Sequence, residues 1–195
     1  MSSGLAGVAL VGFVAVSLLA ARAGFDLYRR SRARARWESD CVAGGLTLEE
    51  PVNGGFPAAA GQIDGVSLRA WVDELRTGGI TQQFVRVRAD VVGIPEVFIR
   101  RRAPEFERST WPEIMTGDPA FDDDVRVSGP SRPAVREWLS PSRRQTVREL
   151  CAVYNTWSIG GGALGLSQRG LTTSTEAWTE QLKHLARVAT ELSRA

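Results

Sequence analysis

The chain has 195 residues, with 24 Lys plus Arg against 22 Asp plus Glu, one His, two Cys and 43% hydrophobic residues. That length fits one ordinary domain, a net charge of +2 excludes a disordered charged tail, and two cysteines exclude a disulfide scaffold. The average conceals a partition: Met1 to Ala21 carries no charged side chain, Arg22 to Arg36 holds six Arg and one Asp, a net of +5, and from Trp37 onward 18 basic residues face 21 acidic ones, a net of −3.

Leu5 to Ala21 is continuously small or apolar, and with Ser2, Ser3 and Gly4 it reaches the roughly 20 residues that span a bilayer. Residues 1–25 are therefore expected to form an N-terminal transmembrane helix. Ala21-Arg22-Ala23 has the shape of a signal-peptide cleavage site, but no positive region precedes the apolar run. The arginines follow it instead, which by the positive-inside rule places the N-terminus outside and the rest of the chain in the cytoplasm, a single-pass protein of the inner (plasma) membrane.

Residues 26–41 read as a basic juxtamembrane helix or linker, because Arg29, Arg30, Arg32, Arg34 and Arg36 alternate with helix-forming residues. Each arginine at an anionic surface contributes on the order of 1 kcal/mol. The expected partner of this segment is the lipid bilayer. Nucleic acid is not expected, since the rest of the chain is acidic on balance and shows no second basic face.

Residues 42–195 are expected to form a cytoplasmic α+β domain. A short strand at Leu46 to Glu49 precedes a Gly- and Pro-rich loop running to about Gly61. Val66, Leu68, Ala70 and Val72 then alternate with Ser67, Arg69, Trp71 and Asp73, and Val85, Val87, Ala89 and Val91 with Phe84, Arg86, Arg88 and Asp90, an antiparallel hairpin about a turn at Thr77-Gly78-Gly79. Strands at Val97 to Ile99 and Val125 to Ser128 follow, with Arg100 to Arg102 read as the solvated end of the first.

Arg132-Pro133 and Ser140-Pro141 open a pair of helices, proline standing at the first helical position. Val147, Leu150, Cys151 and Tyr154 share the buried face of the second. A second hairpin spans Trp157 to Leu166 about Gly160-Gly161-Gly162. Thr173 and Glu176 form a capping box opening an amphipathic C-terminal helix with Trp178, Leu182, Leu185, Val188 and Leu192 on one stripe. The whole is a mainly antiparallel sheet with a helical pair and a C-terminal amphipathic helix.

Groups that carry chemistry are scarce. His184, the only histidine, lies about 200° around the helix from Leu182 and is expected on the solvent face, which excludes a His-based triad or zinc site. Gly160 to Gly165 lacks the lysine and following helix of a phosphate loop. The densest polar cluster is Thr116-Gly117-Asp118-Pro119-Ala120-Phe121-Asp122-Asp123-Asp124. Its carboxylates could hold Mg²⁺ or Ca²⁺ with Glu113, the basis of an alternative reading as a metal-dependent enzyme or sensor. Their spacing differs from that of a calcium loop. The simpler reading is a turn at Asp118-Pro119 in which Phe121 plugs the core and Asp122 bonds nearby amides.

Gly117, Asp118, Pro119, Phe121 and Asp122, followed by Val125-Arg126-Val127-Ser128-Gly129 and short helices, resemble a Gly-Asp-Pro-x-Phe-Asp signature of uncharacterised bacterial membrane-anchored proteins with a cytoplasmic domain of unknown function. The resemblance covers about 95 to 170. It implies a membrane-tethered domain and carries over no catalytic residue, no metal and no cofactor. The expectation is a non-catalytic module that binds a protein partner or a membrane surface.

Overall fold

The computed structural model describes residues 3–51, 55–78, 80–103, 110–171 and 174–194, the side chains of 3–21 and 23 excepted. The chain divides into two compact units, Met1–Ser39 and Asp40–Ala195. One helix, α1 (Ser3–Ala43), supplies the first and ends inside the second. The apolar side chains of Leu5 to Ala21, on which the transmembrane expectation rests, lie outside the described residues. Among the described residues no helix is long and apolar enough to cross a membrane.

The second unit is α+β, built on an antiparallel sheet of eight strands. In chain order these are β1 (Thr47–Leu48), β2 (Ala59–Ile63), β3 (Val66–Thr77), β4 (Ile80–Asp90), β5 (Phe98–Arg101), β6 (Val125–Ser128), β7 (Trp157–Gly160) and β8 (Ala163–Arg169). Their spatial order is β1-β2-β3-β4-β8-β7-β5-β6. The helices are α2 (Pro119–Asp124), α3 (Arg132–Trp138), α4 (Pro141–Val153) and α5 (Thr175–Ser193).

The two alternating strands pair as expected, with Ala70 opposite Val87 and Val72 opposite Val85. Leu68, Ala70, Val85, Val87 and Ala89 are buried on one face of the sheet. Onto that face α5 lays Trp178, Leu182, Leu185, Ala186, Val188, Ala189 and Leu192, all buried, against β2, β3, β4 and β8. Burying each large apolar side chain here contributes about 1.5–3 kcal/mol. Burial also sets the chemistry of Cys41 in the last turn of α1: enclosure, with Asp40 beside it, pushes its thiol up to about 12, so it is a packing residue. Both cysteines are free.

Strand β2 stands in the segment read as loop. Its sequence, Ala-Ala-Gly-Gln-Ile, has little β-branched character because small residues are required there: a Cβ on Gly61 would lie 3.0 Å from the Gly45 carbonyl. The hairpin that joins it to β3 is a two-residue Asp64-Gly65 turn, with φ of 50° and 80° and Ile63 paired to Val66. Asp-Gly between strands is a strong signal for this turn.

Other boundaries move by a residue or more. The strand expected at Leu46 to Glu49 is reduced to Thr47–Leu48, and that expected at Val97 to Ile99 runs Phe98–Arg101. The cap of α5 is Ser174, whose hydroxyl accepts from the Ala177 amide; Thr173, expected in that role, lies outside the described residues, as does Gly79 of the first hairpin. Ser131 and Ser140 cap α3 and α4, each with Pro in the first turn.

His184, expected on the solvent face, is only partly exposed. The C-terminus of α4 brings Tyr154 against α5, so its hydroxyl lies 2.8 Å from His184 Nδ1 and the ring is partly buried. Burial and the nearby Arg187 lower the imidazole pKa, while Glu149 and Glu191 oppose them. Tyr154 is itself pushed up to about 12 by burial. Cys151, expected on the buried face of α4 with Val147 and Leu150, is only partly covered.

Both margins of the sheet are short. β1 has two residues. At the other margin β6 has four, and its outer side is occupied by the chain just before α2: the Ile114 amide donates to the Val127 carbonyl at 2.8 Å and Glu113 bridges Ser128.

Candidate functional site

The signature residues form a clasp. Gly117, at φ 90°, turns the chain into Asp118, which caps α2 by accepting from the Phe121 amide at 3.2 Å. Pro119 fits the first turn because its missing N–H needs no partner there. Phe121 is fully buried, with the Arg148 guanidinium 5.9 Å from its ring centroid. Arg148 also donates to both Asp118 oxygens at 2.8 and 2.9 Å, tying α2 to α4. Asp122, 5% exposed, accepts from the Thr116 amide and hydroxyl and from the Gly117 amide.

The remaining acids of the alternative metal reading are engaged or apart. Glu113 pairs with Arg102 and, at 3.5 Å, with Arg126; Asp123 and Asp124 are exposed. Among the described residues no three His, Cys, Asp or Glu side chains are grouped to hold a metal ion. Of the arginines expected at the solvated end of the third strand, Arg100 and Arg101 belong to β5 and are partly covered, and Arg102 is exposed. Arg102 donates to the Asp122 carbonyl at 2.9 and 3.1 Å, and Arg101 to Asn155 at 3.0 Å.

The five arginines of the collar lie on α1. Arg29, Arg30, Arg32 and Arg36 are exposed, Arg29 sitting 5.7 Å from the Phe25 ring centroid, and Arg34 is partly covered with Nε 2.7 Å from Glu38. Phe25, Leu27 and Tyr28 are exposed on the same stretch of helix.

A groove not foreseen in the sequence crosses the sheet on the face opposite α5, with a volume of about 670 Å³, within the range of about 300–1,000 Å³ for small-molecule sites. Its geometry follows from register. Across the sheet Arg69 stands opposite Arg88, Arg88 opposite Gly165, Gly165 opposite Ser158, Ser158 opposite Arg100, and Arg100 opposite Arg126. One continuous row thus carries four arginines with a small-residue gap at its centre.

The outer two pair with carboxylates, Arg69 with Glu49 at 2.7 Å and Arg126 with Glu113. The inner two flank the gap. Arg88 pairs with Asp90 at 3.5 Å and is half exposed, and Arg86 beside it pairs with Asp73 at 3.0 Å. Arg100 lies 5.7 Å from the Phe98 ring centroid, its pKa lowered by burial and by Arg126. Trp71 and Phe84 on one side and Phe98 on the other form apolar walls. Gly165 faces Ser158 across the floor, and the Phe98 ring lies over Gly160.

No known protein family matches the sequence. No curated protein matches it either. A solved structure of similar fold is the crystal structure of the mycobacterial trehalose monomycolate transport factor A, TtfA, at 13% identity and a TM-score of 0.50, covering 83% of this chain and 91% of that one. At that identity the likeness to TtfA concerns the fold.

The signal for the groove lay in the outward positions of the strands. A half-exposed sheet face is ordinarily polar, yet Trp71, Phe84 and Phe98 occupy it together with Arg86, Arg88 and Arg100. Within any one strand this looks like scattered surface apolarity; only the strand order brings the residues together. A second cleft of about 680 Å³, beside α5, is lined by Tyr154, Gln168, Glu180, Gln181 and His184.

Proposed function

We propose that the chain is a membrane-tethered, non-catalytic interaction module. Residues 5–21 serve as a signal-anchor spanning the plasma membrane once with the N-terminus outside, and Arg29, Arg30, Arg32, Arg34 and Arg36 meet the headgroups on the cytoplasmic side, where the α+β domain works on a partner or ligand. The observation that carries this reading is the partition of charge along a single helix, uncharged to Ala21 and then rich in exposed arginine. Two further facts support it. Glu113, Asp118 and His184 are engaged in contacts within the domain, and the fold is shared with TtfA, a transport factor.

Fractionation of full-length protein tests the tether. It should stay with membranes through alkaline carbonate extraction, leave them when residues 2–21 are deleted, and expose its C-terminal domain to protease only in inverted vesicles. A soluble full-length chain, or a mature N-terminus beginning after Ala21, would overturn it.

A further inference from the structure

The stretch of α1 that follows Ala21 is one-sided. Arg22, Phe25, Arg29 and Arg32 follow one another at intervals of three, four and three residues. At about 100° per residue they fall within an arc of about 80°, with Tyr28 about 40° beyond it. Arg22, Arg29 and Arg32 are exposed, and so are Phe25 and Tyr28, at 58% and 61%. The Arg29 guanidinium lies 5.7 Å from the Phe25 ring centroid, so charge and apolar surface are joined on one face. The reverse side carries Leu27, and Arg34 there is already paired with Glu38. Asp26, the one acid between Arg22 and Arg36, lies about 100° around from Phe25 and off the arc.

A topology signal needs arginines near the end of a span, on any side of the helix. A stripe instead suits a surface met from one side. A second copy does not fit it: the spacing is that of a coiled-coil seam, but pairing the stripe with itself sets guanidinium against guanidinium. An upright helix would carry Arg32 about 16 Å past Ala21, more than a Debye length of about 8 Å beyond a headgroup layer about 5–8 Å deep. Leaning about 40° toward the stripe, within the range of membrane spans, lowers Arg32 to within that length. A zwitterionic headgroup would bring a cation to the same face with every phosphate, and an acidic one does not. We propose that the stripe is a lipid-binding face: α1 leans onto the cytoplasmic leaflet, Arg22, Arg29 and Arg32 take the phosphates of acidic glycerophospholipids, and Phe25 and Tyr28 enter the acyl boundary. This rests on the tethering reading and deepens it by naming the lipid class and the side of the helix that selects it.

The test uses full-length protein in phosphatidylcholine bilayers doped equally with photoactivatable phosphatidylglycerol or photoactivatable phosphatidylcholine, with lipid adducts mapped by mass spectrometry. Adducts on residues 22–32 should be at least about tenfold more abundant with phosphatidylglycerol. The deciding variant exchanges near neighbours, Arg29→Leu with Leu27→Arg and Arg32→Ser with Ser31→Arg. Composition and charge are kept, depth along the helix is nearly so, and all four positions are exposed, so the fold survives. Two guanidiniums nevertheless leave the stripe, and this variant should label with both lipids alike. Equal labelling of the parent by the two lipids, an undiminished excess in the exchanged variant, or attachment of a protein in place of a phospholipid by a photo-crosslinking residue substituted for Tyr28 in the native membrane would each overturn the proposal. Failure of the tether itself reads differently: neither lipid would then label residues 3–32, and both readings would fall.

Discussion

The buried carboxylate of Asp122 is held by Thr116 twice, by the backbone amide at 3.0 Å and by the hydroxyl at 2.9 Å. Asp122→Ala removes the acceptor and strands these donors in the interior, where an unmet polar group costs about 1–3 kcal/mol. A loss of roughly 2–4 kcal/mol in denaturant unfolding is expected. A change below about 0.5 kcal/mol, the size of an ordinary surface substitution, would refute the clasp.

Asp118→Ala should cost less. It removes a helix cap worth about 1 kcal/mol and the charged bonds to Arg148, which are partly exposed and so discounted. Asp118→Asn retains the cap and should recover most of that loss, which thermal melting of the two variants will compare.

Because Asp118, Asp122 and Glu113 are already satisfied by Arg148, Thr116 and Arg102, a divalent ion must break these bonds to bind. Millimolar Mg²⁺, Mn²⁺ or Ca²⁺ is expected to leave the melting temperature unchanged. A saturable rise with any of the three would restore a cation-binding reading of the cluster.

The two glycines of the groove floor should respond differently to a methyl group. A Cβ at Gly160 would lie 2.9 Å from the Val97 carbonyl oxygen and from a ring carbon of Phe98. Gly160→Ala is expected to cost about 1–3 kcal/mol. Gly165→Ala, facing only Ser158, should unfold within about 1 kcal/mol of the parent. Equal losses in equilibrium unfolding would show that the close approach at Gly160 is not real.

Histidine 184 ties stability to pH. Its pKa in the fold lies below the ordinary 6.5, through burial first and Arg187 second, against Glu149 and Glu191, with Tyr154 in contact. Just below pH 6.5 the unfolded chain binds the proton more readily, so the stability from this site is complete above about 6.5 and lost as pH falls toward the depressed value. The difference in melting temperature between the parent and His184→Gln should shift across that window and be flat above it.

How much could be read from sequence depended on whether one strand carried the signal. The β3 and β4 hairpin was legible because Val85, Val87 and Ala89 alternate with polar neighbours inside a single run. The helices were legible from Pro133, Pro141 and the stripe ending at Leu192. Strand β2 was hidden because Gly61 must stay small beneath the Gly45 carbonyl. His184 was misplaced because solvent exposure on α5 depends on where α4 ends. The groove was hidden for a similar reason: Arg88 and Arg100 fall on one row with Gly165 and Ser158 only through strand order, with β8 and β7 inserted between β4 and β5.

The short margins of the sheet carry a consequence for crowding. An open row of unpaired backbone groups is a template on which another copy can add a strand. Here β1 offers two residues, and the outer side of β6 is already taken by Glu113 and Ile114. At these two margins another copy finds little to pair with; the longer open edge is on β3, whose ladder with β2 stops at Ala70 while the strand runs on to Thr77.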